Sequence, residues 1–206
     1  LFEVGGYSSG KIGFGNTIGI VSVDMMNCVT DPKAPMGRSP MAQDSVNKCA
    51  TLFDAARENN IPIVHCCTAY QPDLSDMPPW KVYCIKDWII GSWEVEIDSR
   101  LWRDGDVLVC KKTPSIFFGT HCASVMNMHG VDTVIVTGAN TSGCIRASSI
   151  ESFALGYRTI VPEECVFDQG SVAHRQNLED IGKRYVCLLY TSDAAAERSS
   201  VDLGGR

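Results

Sequence analysis

The chain has 206 residues, a formal net charge of −6 and an apolar fraction of 45%. That length accommodates one α/β domain with a full core, and the acidic balance argues against nucleic acid or an anionic membrane surface as a partner. No apolar run approaches the ~20 residues of a membrane span, and Leu1-Phe2-Glu3-Val4-Gly5-Gly6 lacks the basic and apolar regions of a secretory signal.

Residues 5–16 are glycine-rich and polar and read as a surface arm. Thr17 to Val23 is a first buried strand that ends on Asp24, and residues 31–37 are loop. A helix is expected over Met41 to Glu58, with Val46, Cys49, Leu52, Phe53 and Ala56 on one face. Ile61 to Cys67 forms the second strand. Residues 68–98 are irregular and carry three of the four tryptophans, which marks a functional excursion. Val107 to Cys110 is the third strand and leads into Lys111, and a helix over 120–128 precedes a β-branched fourth strand, Val131 to Thr137. After Gly138-Ala139-Asn140-Thr141-Ser142-Gly143, a helix opens at Cys144 and runs to Leu155. Gly156 stops it before a fifth strand, Thr159-Ile160-Val161. Strands alternating with helices imply a parallel sheet with right-handed crossovers.

The ten cysteines do not form a secreted disulfide framework, because they lie inside apolar strand-like runs such as 61–67 and 107–110. No C-x-x-C or zinc-ribbon spacing occurs. Reduced thiols in a cytoplasmic protein are the expectation. Adjacent Cys66 and Cys67 point to opposite faces of a strand and read as packing.

In open parallel sheets ligands bind at the carboxyl ends of the strands. Three such ends carry useful groups: Asp24, Lys111 and Cys144. Each has an ordinary reading alone, as a turn cap, a solvated strand end and a small apolar filler. Together they are a nucleophile, an acid/base partner and a cation, the set that covalent acyl transfer requires. A cysteine at a helix start is expected to favour thiolate, so iodoacetamide is expected to label Cys144 ahead of the other nine.

The blocks Val21-Ser22-Val23-Asp24-Met25-Met26-Asn27, Lys111 to Thr120 and Thr137 to Ala147 resemble, in order and spacing, the signatures of the isochorismatase-like cysteine hydrolases. The likeness covers about Gly13 to Tyr185 and is greatest to the N-carbamoylsarcosine amidase and maleamate amidohydrolase branch. It implies a three-layer αβα fold on a mainly parallel six-stranded sheet, order 3-2-1-4-5-6, and a single domain over 1–186. It also implies a catalytic triad of Asp24, Lys111 and Cys144. Lys111, not Lys112, takes the lysine's place because it stands four residues before Ser115. The resemblance further implies a cis peptide between Ala139 and Asn140 and an oxyanion hole from the backbone N–H groups of Asn140 and Cys144. Phe117, Phe118 and Thr141 are expected in the substrate pocket, which Ile116, in place of a more usual alanine, is expected to narrow.

The activity implied is a metal-independent amidohydrolase that cleaves the C–N bond of a small amide or N-carbamoyl compound through a thioester at Cys144. No cofactor, nucleic acid or membrane is expected, and the protein is expected to be a cytoplasmic homo-oligomer, dimer or tetramer. The alternatives are an isochorismatase-type vinyl-ether hydrolase, which needs no covalent nucleophile, a non-catalytic binding protein on the same fold, and a redox sensor at Cys144. Two departures bear on the site. Gln169 follows Asp168 where many relatives carry arginine, which removes an anchor for a substrate carboxylate. The stretch His65 to Gln71 lacks the Asp-x-His of metal-holding nicotinamidases, so His65 reads as structural. Residues 187–206 do not resemble the family and read as a foreign tail, translated adapter read-through, although Val186 to Thr191 is apolar and β-prone enough to fill a sixth-strand position.

Overall fold

In the computed structural model, which describes residues 5–8 and 10–190, the apolar run Ile18–Val23 forms β1 at the heart of a parallel sheet. It pairs with β2 (Ile63–Thr68) on one side and β4 (Thr133–Ala139) on the other. Both of those strands are buried along their whole length, as strands covered on two faces must be. The edge strand β3 (Val107–Lys111) pairs with β2 and alternates between buried and more exposed positions.

Successive β1 residues feed opposite layers. Ile20 joins a core with Val46, Cys49, Phe53 and Ala56, the inward face of α2 (Pro40–Glu58). Val21 joins a second core with Cys122 and Met126 of α3 (Cys122–Met128) and Leu178 and Ile181 of α5 (Ser171–Gly182). Helix α4 (Arg146–Ala154) lies between α3 and α5 in sequence and buries Ser148, Ser149 and Ser152. The α2 face follows the expected helical spacing, with Pro40 at the first turn, where its missing N–H costs nothing. Full burial of a side chain such as Phe53 is worth about 1.5–3 kcal/mol. A single turn, α1 (Asn27–Thr30), follows β1.

The main path has the six strands expected, β3-β2-β1-β4-β5-β7, and the sheet gains a seventh strand off that path. The extra strand has a physical cause. β5 (Arg158–Pro162) covers only Thr133 to Ile135 of β4. The uncovered end of β4 is taken by a two-residue strand, β6 (Val166–Phe167), paired with Gly138 and Ala139. The sixth position on the path belongs to β7 (Cys187–Leu189), parallel to β5. The sequence reading assigned these three residues to the tail; the rest of that tail, from residue 191, lies outside the described residues. No helix among the described residues is long and apolar enough to cross a membrane.

Candidate active site

β1, β3 and β4 end at the same edge of the sheet: Asp24 directly follows β1, Lys111 is the last residue of β3, and Cys144 lies in the turn that follows β4. Asp24 leaves β1 with φ +52°, a left-handed conformation that aspartate tolerates better than most residues. Its Oδ2 lies 2.8 Å from Lys111 Nζ, and both side chains are almost wholly buried. The same ammonium is 3.4 Å from Cys144 Sγ. Asp24, Lys111 and Cys144 are thus gathered at one point.

A fourth residue joins them. Thr68, at the end of β2 and opposite Lys111 in the strand register, accepts a 2.6 Å hydrogen bond from Lys111 Nζ and donates one of 2.9 Å to Asp24 Oδ1. Sequence reasoning passed over Thr68 because a lone threonine carries no motif. Its signal was positional, since it stands at the carboxyl end of a strand like the other three. Lys111 Nζ also reaches the Thr113 carbonyl at 3.2 Å.

The electrostatics of the cysteine differ from the expectation. Burial, and then the carboxylate of Asp24, push the Cys144 thiol up to about 12, although Lys111 pulls the other way. Burial and Asp24 thus favour the thiol against the pull of Lys111. Burial opposes the charge on Lys111, but Asp24 outweighs it and holds that pKa above lysine's usual value. The exposed Cys110 has the opposite balance. A hydrogen bond from Cys67, its register partner, brings it down to about 6, aided by the charge of Lys112. These opposed shifts point to Cys110, ahead of Cys144, as the more readily ionised thiol.

Cys144 also does not open a regular helix. It sits in a π turn, Thr141–Ile145, and α4 begins only at Arg146. The turn is anchored from β6 onward: Asp168 accepts the Ser142 N–H at 2.6 Å and the Gln169 N–H at 2.8 Å. Thr141 Oγ1 lies 2.8 Å from Nδ1 of the buried His174. The peptide between Ala139 and Asn140 is cis. Gly138 has φ +113°, and a Cβ there would lie 2.1 Å from the Val23 carbonyl oxygen, so only glycine lets β4 pass this close to β1.

Above Cys144 is a cavity of about 130 Å³ lined by Asp24, Thr68, Asn140, Gly143 and Cys144 on the sheet side, and on the far side by apolar groups including Val29, Trp80, Val82, Ile85 and Trp88. Most of the apolar wall comes from the excursion 68–98. It is pinned by Tyr70, which accepts a 2.7 Å hydrogen bond from Trp80 Nε1 and donates one of 2.9 Å to the Lys112 carbonyl. The three expected pocket residues lie elsewhere. Phe117 is in the core, stacked on Tyr157 at 6.1 Å between ring centroids, Phe118 is exposed, and Thr141 is turned to His174. Ile116 is likewise a core residue. A sequence block near a nucleophile does not fix which side of the strand end its apolar residues face, whereas the tryptophan-rich excursion did signal the wall.

His65 is buried between the rings of Phe53 and Trp102, with Nε2 3.2 Å from Asp106 Oδ2. Among the described residues no group of three His, Cys, Asp or Glu is placed to hold a metal ion.

Comparison with known proteins places this arrangement. Residues 19–193 match the isochorismatase domain. The chain is 36% identical over 188 residues to maleamate amidohydrolase of Pseudomonas putida, a match covering 89% of this chain and 88% of that protein. It is 28% identical over 182 residues to N-carbamoylsarcosine amidase of an Arthrobacter species, covering 85% and 69%. A cysteine hydrolase of Pseudomonas syringae shares the fold, with a TM-score of 0.82 at 20% identity over 94% of this chain and 99% of that one.

Proposed function

The chain belongs to the isochorismatase family, and from that premise we propose that it is a metal-independent cysteine amidohydrolase cleaving the C–N bond of a small amide or N-carbamoyl compound through a thioester at Cys144. The observation that carries this reading is one buried ammonium, Lys111, touching both the Asp24 carboxylate at 2.8 Å and the Cys144 sulfur at 3.4 Å beside a cavity. The two amidohydrolases it resembles act on the same class of bond, as their names state.

A thiol pushed up to about 12 needs a base. Asp24, within hydrogen-bond reach of the sulfur, takes its proton as the thiolate attacks the carbonyl carbon. The tetrahedral oxyanion is received by the N–H groups of Asn140 and Cys144, a contribution of roughly 100- to 1000-fold per donor in other enzymes. Collapse expels the amine, which carries away the proton held by Asp24 and leaves the acyl group on sulfur. Water, giving its proton to Asp24, then attacks the thioester and frees the acid and the thiol. Lys111 holds carboxylate and sulfur in register throughout and neutralises whichever of them is charged. Localisation in the cytoplasm and assembly into a homo-oligomer complete the reading.

The test is ammonia release from a panel of N-carbamoyl amino acids, maleamate and other small amides, with rapid-quench mass spectrometry of the protein. Turnover should be accompanied by an acyl mass on the peptide carrying Cys144, and Cys144→Ala should abolish both. Ammonia release unaffected by Cys144→Ala would overturn the assignment. Dialysis against a chelator should leave turnover unchanged. Restoration by zinc, manganese or iron after such treatment would show that the enzyme is not metal-independent.

A further inference from the structure

The cavity over Cys144 is lined unevenly in charge. Its far wall, formed by Val29, Met36, Trp80, Val82, Ile85 and Trp88, is apolar, and no lysine or arginine among the described residues lines it. The two lysines at the end of β3 are already engaged. Lys111 Nζ meets Asp24, Thr68, the Thr113 carbonyl and Cys144, and Lys112 Nζ meets Asp76 and the Ala69 carbonyl. Gln169 is exposed and outside the cavity. The charged group that does line the space is a carboxylate, Asp24.

Resting on the amidohydrolase reading, we propose that the substrate is a small uncharged amide with an apolar acyl group, and that amides bearing a carboxylate are rejected. An ionised carboxylate placed against this wall loses its water, gains no cation from the lining and shares the space with Asp24. The indoles of Trp80 and Trp88 instead offer apolar area to an alkyl or vinyl chain. At about 130 Å³ the space is well below the roughly 300–1,000 Å³ of drug-sized sites, which confines the acyl group to a few carbons. The maleamate named for the Pseudomonas putida relative is a carboxylate-bearing amide, so the selectivity of this chain differs from that name.

The experiment compares kcat/KM for 4-methylpentanamide and succinamate, which share a skeleton and a heavy-atom count but carry two methyl groups or two carboxylate oxygens at the far end. The neutral amide should be preferred by at least roughly 100-fold. Val82 lines the cavity and is half-exposed, so Val82→Arg supplies a cation without disturbing the core. It should shift the preference toward succinamate by at least about tenfold. Equal turnover of the two, or preference for succinamate in the unmodified protein, overturns the inference and leaves the amidohydrolase reading standing. Ammonia from none of the amides, with Cys144 unacylated, overturns both.

Discussion

A thiol reacts in proportion to its thiolate fraction, and in this protein that fraction is set by burial and by the nearest charge. Cys110 is exposed and brought down to about 6 by its neighbour Cys67, whereas Cys144 is pushed up to about 12 by burial and Asp24. Iodoacetamide at pH 7 should therefore modify Cys110 first and leave turnover largely intact. Raising the pH deprotonates a thiol, so Cys110 should reach its plateau rate just above pH 6, while Cys144 should still gain about tenfold per pH unit beyond pH 9. Peptide mapping against time checks the order. Cys144 modified before Cys110 at pH 7 would mean that Lys111 dominates its field. Thr68 supports a second expectation. Thr68→Val keeps the shape but removes the hydroxyl between Asp24 and Lys111, so kcat should fall by about 10- to 100-fold with little change in KM. That Asp24, Lys111 and Cys144 would meet was legible in the sequence because each stands at or after the end of an apolar strand and the blocks around them resemble one family's signatures. Their protonation was not, because desolvation depends on what the excursion 68–98 lays over them.

At the scale of elements, the site depends on how β4 passes β1. Val23 pairs with Gly138 in the register; Asp24 directly follows Val23, and β4 ends one residue after Gly138, at Ala139, ahead of the turn that carries Cys144. Gly138→Ala would place a Cβ 2.1 Å from the Val23 carbonyl oxygen at a backbone φ of +113°. Separating the strands there should cost at least about 3 kcal/mol of stability and displace Asp24 from Cys144. Denaturant unfolding and ammonia release should report both losses; a stable, active Gly138→Ala protein would show that the strands can yield. The strand–loop–helix unit was legible because β-branched residues change to helical spacing across a glycine-rich stretch. The π turn, the break before Arg146 and the two-residue β6 were not. All three depend on packing around Asp168 and on how little of β4 is covered by β5, and no local propensity encodes those facts.

Across the whole molecule, the candidate site and a buried ion-pair cluster occupy opposite ends of the sheet. The carboxyl edge holds Asp24, Lys111 and Cys144. The other end is tied by Asp106, which directly precedes β3 and receives hydrogen bonds from Arg57 Nη2 of α2 at 2.7 Å and from the Arg103 N–H at 3.1 Å, with His65 Nε2 of β2 at 3.2 Å. One carboxylate thus joins helix, loop and two strands. A parallel sheet was legible because most strands are followed by a helix, and its order came from the family resemblance, but this tie was not legible, since its partners are scattered over residues 57–106. Burial raises the Asp106 pKa, but His65 and Arg57 outweigh it and hold it low, at about 2. A carboxyl depressed in the folded state contributes stability that is present in full above its unfolded value, near 4, and is lost as the pH falls through about 2. With partial screening through the half-exposed side of the cluster, that contribution is on the order of 1–2 kcal/mol. Asp106→Asn should lower the stability measured by denaturant at pH 7 and flatten its decline between pH 4 and pH 2. The kcat measured at 25 °C should be unchanged, because no contact of Asp106 reaches the carboxyl edge. A variant that kept its stability at pH 7 but lost turnover would show that the two ends of the sheet are coupled.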